Sequence, residues 1–154
     1  GKTALVRRFE DELRGARVLS GGCDPLATPA PLAPFVEVSG QLGGAAAELV
    51  TRDARPYEIA RALLDQLAGA CPSVLVLEDL HWADAGTIDA LTYWARRVHQ
   101  APCLVIGTYR DDELPPSHPL RTMLGRLATA PGVGRVRVER SSAAAVELRA
   151  ACPR

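Results

Sequence analysis

The sequence has almost no lysine: of its eighteen basic residues seventeen are Arg, and the one Lys stands at position 2. It has no net charge either, because eighteen acidic residues balance the basic ones. A neutral chain carries no electrostatic footprint for nucleic acid or an anionic membrane, so any DNA contact is expected from a separate domain. No apolar run approaches the roughly 18 residues that span a bilayer, and no signal peptide opens the chain. Paired cysteines are missing too. Cys23, Cys71, Cys103 and Cys152 make no CxxC and no zinc spacing with His81, His99 or His118. Such cysteines read as small buried thiols in a reducing, cytoplasmic compartment. Aromatic residues are only 5%, yet 47% hydrophobic residues in 154 suffice for one ordinary globular domain and not two.

What is present alternates between helical and strand spacing, which predicts an α/β fold with a mainly parallel sheet. Residues 2–14 read as a helix with Leu5, Val6, Phe9 and Leu13 on one face, ended by Gly15. A strand at 16–20 and a Gly/Pro-rich loop at 21–34 follow, then helices at 34–50 and 56–69. Val74-Leu75-Val76-Leu77 is apolar without alternation, as in a strand buried on both faces. Asp84 suits the N-cap of a helix lined by Ile88, Leu91, Ala95 and Val98. Residues 102–108 predict a second buried strand, and Pro119 opens a helix carrying Leu120, Met123, Leu124 and Leu127. Arg135 to Val138 alternate, which predicts an edge strand over 135–139. Ser141 or Ser142 then caps a further helix. Residues 1–140 are accordingly taken as one core and 141–154 as the start of a helical segment.

Three short stretches carry chemistry. Gly1-Lys2-Thr3 matches the last three residues of GxxxxGK[ST], whose backbone amides and helix N-terminus cradle phosphate. Its Lys neutralises the β- and γ-phosphates and its Thr hydroxyl binds Mg²⁺. Taken alone GKT is weak, but the only Lys of an Arg-writing sequence falls where a compact ammonium is needed. The second stretch is the strand ending in Glu78-Asp79, about where ligands bind in open α/β sheets. One carboxylate there is suited to Mg²⁺ and its neighbour to an attacking water, unless the pair only starts the next segment. The third is Gly107-Thr108-Tyr109-Arg110, also at a strand end. Thr108 suits a water or a phosphate oxygen and Arg110 the γ-phosphate, unless Arg110 pairs locally with Asp111, Asp112 or Glu113. Trp82 reads as packing beneath this cleft and His81 as a polar surface or hinge residue.

LVLEDLHWAD at 75–84, LVIGTYRDDEL at 104–114 and PLAPFVEV at 31–38 together resemble a known family. It is the AAA-type ATPase domain of signal-transduction ATPases with numerous domains, and within it the large LuxR-type regulators of actinobacteria. The resemblance covers nearly the whole chain. It implies a P-loop NTPase fold of the ASCE/AAA type, three layers α/β/α, with ATP and Mg²⁺ as ligands. It also implies Glu78 as the Mg²⁺ ligand, where the family more often has Asp. Asp79 becomes the acid that polarises water and Arg110 the γ-phosphate sensor. Gly1, Lys2, Thr3 and Thr108 become nucleotide contacts. Such domains are slow switches that change assembly state or pair with neighbouring domains, with DNA binding in a distant helix-turn-helix.

The resemblance further implies strand order 5-1-4-3-2. The first strand and the first part of the phosphate loop are then expected before Gly1, and the isolated stretch is expected to bind ATP weakly and to be inactive. Two other readings stand beside an ATP-hydrolysing switch. One is a degenerate nucleotide-binding or interaction module without turnover. The other is a small-molecule kinase, which the apolar helices at 34–69 disfavour because they offer few placed polar groups.

Overall fold

A computed structural model describes residues 2–69, 71–130 and 132–138. The chain divides into two compact units, residues 14–133 and residues 1–13 with 134–154. In the smaller unit α1 spans Lys2–Glu12, and Val6 is its buried position. Leu5, expected on the inner face, is 52% exposed. Residues 133–138 form no strand, and Val136 is 82% exposed. The alternation of Arg135 to Val138 is therefore a pattern without a ladder: period two permits a strand, but only a neighbouring edge makes one. The helix expected after Ser141 lies outside the described residues, as does Gly1.

In the larger unit three strands pair in parallel: β1 (Arg17–Gly22), β2 (Ser73–Glu78) and β3 (Cys103–Gly107), in the order β1-β2-β3. Parallel strands need long crossovers, and the crossovers are helical. Between β1 and β2 lie α2 (Ala33–Leu42), α3 (Gly44–Thr51) and α4 (Pro56–Ala68). Between β2 and β3 lies α5 (Ala85–Ala95), and α6 (Pro119–Leu127) follows β3. The sheet is an α/β sheet of the expected class. Its strands take the positions expected of the second, third and fourth family strands.

The helix expected at 34–50 is two helices. Gly43 (φ 69°) and Gly44 (φ 67°) take the left-handed region between them, open to glycine at no steric cost. Gln66 of α4 fixes that turn, accepting from Ala46 N–H (2.9 Å) and donating to the Gly43 carbonyl (3.0 Å). α5 stops at Ala95, so Val98 falls in a separate short turn rather than on its inner face. Leu19, Leu75 and Val105 stand in register on one sheet face. Against that face lies a core including Phe35, Leu63, Leu67 and Trp94. Trp94 donates its indole N–H to the Ala60 carbonyl (2.6 Å) and meets Phe35 edge to face, with centroids 5.4 Å apart. Burying such rings dominates core energetics, provided the indole N–H keeps a partner.

β2 is buried along its length, as its unbroken apolar run predicts. β3 departs from the expectation of a buried strand: Leu104 is 50% exposed, because β3 is an edge of this sheet. Among the described residues no helix is long and apolar enough to cross a membrane. Nor does any group of three His, Cys, Asp or Glu stand ready to hold a metal.

Candidate functional site

The carboxyl ends of the three strands of the larger unit bring together most of the residues singled out above. Glu78 closes β2 beside Gly22 of β1, and Asp79 follows at φ 54°, ψ 42°. This left-handed conformation is uncommon outside glycine, though Asp tolerates it better than most, and it turns the chain sharply off the strand. The turn is held from β3. Asp79 N–H donates to the Thr108 hydroxyl (3.1 Å), Thr108 N–H to the Leu77 carbonyl (2.9 Å), and Leu80 N–H to the Thr108 carbonyl (2.8 Å). Thr108 thus bolts the β2 end to the β3 end, with its hydroxyl oxygen already accepting one bond.

Past the turn, His81 goes inward. Its side chain has no exposure, which corrects the expectation of a surface residue. The short turn Leu80–Trp82 that starts from left-handed Asp79 aims it there. Its Nε2 lies 3.0 Å from Glu113 Oε2 and its Nδ1 3.8 Å from Asp79 Oδ1. The Trp82 ring lies tilted against it, with centroids 4.3 Å apart, and is half-buried against the core. Arg110 takes the local alternative: its Nη1 donates to Glu113 Oε1 at 2.6 Å, and this bond first, then the Glu113 charge, raises the guanidinium above its ordinary pKa. Arg110, Glu113, His81 and Asp79 therefore form one connected series. Glu113 is the member whose part the sequence leaves open, since a carboxylate three residues after an Arg looks like any local ion pair.

Asp84 caps α5, as expected. Its carboxylate accepts from Gly86 N–H (2.9 Å), from Thr87 N–H (3.1 Å) and from the Thr87 hydroxyl. It also accepts from Leu32 N–H (3.1 Å), pinning the loop after β1 to the start of α5. The mouth of the sheet is acidic in consequence. Burial first, then the charges of Asp84, Asp79, Asp24 and Glu37, push the Cys23 thiol up to about 12. Oxygen-rich, negative surroundings suit a hard divalent cation.

Lys2 and Thr3 open α1 in the smaller unit, Lys2 half-buried and Thr3 exposed. They are not among the residues that the larger unit assembles.

A family model described as an AAA ATPase domain matches residues 1–106. The matched stretch holds Lys2, Thr3, Glu78 and Asp79 and stops short of Thr108 and Arg110. No curated protein and no solved structure matches the chain.

Proposed function

This chain belongs to the AAA ATPase domain family, and from that premise we propose that it is the ATP-responsive switch of a larger signalling or transcriptional regulator. The class proposed is the signal-transduction ATPases with numerous domains, LuxR type, working in the cytoplasm. The observation that carries the reading is the joined end of β2 and β3, where Glu78, Asp79 and Thr108 meet through the Asp79–Thr108 bond. In this reading Glu78 and Thr3 hold Mg²⁺, which supplies charge neutralisation at the phosphates. Lys2, with Gly1, takes the β- and γ-phosphates, and Thr108 a phosphate oxygen or the water. Asp79 orients the attacking water and accepts its proton, and Arg110 steadies charge on the γ-phosphate.

Residues 1–140 are the proposed ATPase core and 141–154 the start of a following helical segment. Self-association or docking of a neighbouring domain reads out the nucleotide state, and DNA is met by another domain. A second reading, nucleotide binding without turnover, draws support from the Glu at 78 and from the Arg110–Glu113 bond, which already occupies the sensor.

Phosphate release from the intact protein separates the two. Wild type is expected to hydrolyse ATP slowly. Asp79→Asn is expected to lose turnover about a hundredfold while keeping ATP binding, and Lys2→Ala to lose binding. ATP binding with no release of phosphate by wild type would give the case to the second reading.

A further inference from the structure

Glu113 has a fixed side and a free side. On the fixed side its Oε2 meets the imidazole of His81, a ring with no exposure. The loop around it is clamped as well. Leu114 next to it is 4% exposed, and Arg121 of α6 donates to the Leu114 carbonyl (2.9 and 3.0 Å) and to the Asp111 carbonyl (3.2 Å). His118 caps α6 by accepting from Leu120 N–H (3.1 Å). On the free side Oε1 holds Arg110, whose side chain is 50% exposed. Of the two partners the carboxylate stands on the clamped loop, 3.0 Å from a buried ring with which it makes no well-aligned hydrogen bond, and the half-exposed guanidinium can leave. A phosphate that approaches Arg110 therefore meets a cation already neutralised, and has to displace Glu113 to reach it.

We propose that Glu113 is a positioning residue that competes with the nucleotide phosphate for Arg110 and sets the threshold at which Arg110 engages. The proposal rests on the ATP reading above. Because His81 also lies beside Asp79, release of Arg110 leaves Glu113 on His81 and alters the electrostatic setting of the acid proposed to orient water. Glu113 acts through Arg110 and touches no reacting atom.

The test is a double-mutant cycle on the intact protein, titrated with a fluorescent non-hydrolysable ATP analogue and Mg²⁺. Half-exposed ion pairs are weak, so Glu113→Gln is expected to tighten binding by about fivefold. Arg110→Ala is expected to weaken it, and Glu113→Gln added to Arg110→Ala to give no gain. With an ADP analogue, which lacks the γ-phosphate, the gain should vanish. A purely structural role would act equally with and without Arg110. Glu113→Asp, too short to span both partners, should give a smaller gain and carries the test if Glu113→Gln melts early.

Unchanged or weaker binding in Glu113→Gln, an equal gain in the Arg110→Ala background, or an equal gain with ADP would overturn the proposal while leaving the ATP reading intact. A wild type that binds no analogue overturns both, so the wild-type titration tells the two failures apart.

Discussion

Along the outer side of β1 the backbone groups end on side chains of α2, whereas along the outer side of β3 they face no strand among the described residues. Ser20 N–H donates to Gln41 Oε1 (3.1 Å), Gln41 returns a bond from its amide to the Ser20 carbonyl, and Gly22 N–H donates to Glu37 Oε2 (3.0 Å). In the register of β3, Val105 and Gly107 turn their amides away from β2, and Gly107 is exposed. An unpaired strand edge invites pairing, and side chains laid across it are one way to blunt it. The helix that follows β1 supplies those side chains. Within the larger unit the residues proposed to act at the phosphates, Glu78, Asp79, Thr108 and Arg110, lie where β2 and β3 end.

Two glycines sharpen the contrast most. A Cβ at Gly21 would stand 2.3 Å from the Pro34 carbonyl oxygen, so α2 touches β1 backbone to backbone. A Cβ at Gly107 would meet only the end of the Leu80 side chain, at 2.8 Å, and that methyl can turn aside. Gly21→Ala is expected to cost about 3 kcal/mol and Gly107→Ala about 1 kcal/mol, within the usual range for overpacking. Urea midpoints at constant slope measure both. Equal losses would mean that β1 is no more tightly closed than β3.

Amide exchange probes the same difference with a smaller effect. Ser20 and Gly22 are expected to exchange about tenfold more slowly than Val105 and Gly107, because a local opening must first break the side-chain bond. Gln41→Ala should bring Ser20 to the rate of Val105 and cost about 1 kcal/mol, the usual net worth of such bonds in partly exposed positions. If Ser20 stays slow in that variant, burial rather than Gln41 protects it.

These two edges also mark what the sequence could and could not convey. β2 and β3 were legible because a contiguous apolar run that follows a Pro is a local signal, and so was Glu78-Asp79 at the end of such a run. The Asp84 cap was legible for the same reason, since its partners are two and three residues away. Gln41 on Ser20 was not, because a side chain 21 residues on reaches an edge only after α2 has docked. His81 was misjudged because its inward direction depends on the left-handed turn at Asp79, which no pattern of apolar residues announces. Residues 135–138 failed the opposite way: the local signal was good, and the partner it needed was not given by it. Local rules thus identify elements, while edges and the charge series through Glu113 belong to tertiary placement.

Two thiols give the finest test, one near each edge. Cys23 follows β1 and is pushed to about 12, by burial first and then by four carboxylates, whereas Cys103 opens β3 and is pushed to about 11 by burial alone. Both values are raised from 9.0, so the fold favours the neutral thiols. Their stabilising contribution is complete below about pH 9 and is lost as pH rises through 11 and 12. Thermal melts between pH 8 and pH 11 should fall, and Cys23→Ala should flatten part of that fall. Among the cysteines of the described residues, an alkylating reagent at pH 8 is expected to take exposed Cys71 first, half-buried Cys103 next and buried Cys23 last. Mg²⁺ bound near Asp79 without nucleotide would cancel some of the negative charge around Cys23. It should then speed Cys23 alkylation slightly while leaving Cys103, which burial alone perturbs, at its former rate. A ligand that speeds both alike would be loosening the sheet rather than neutralising its acidic end.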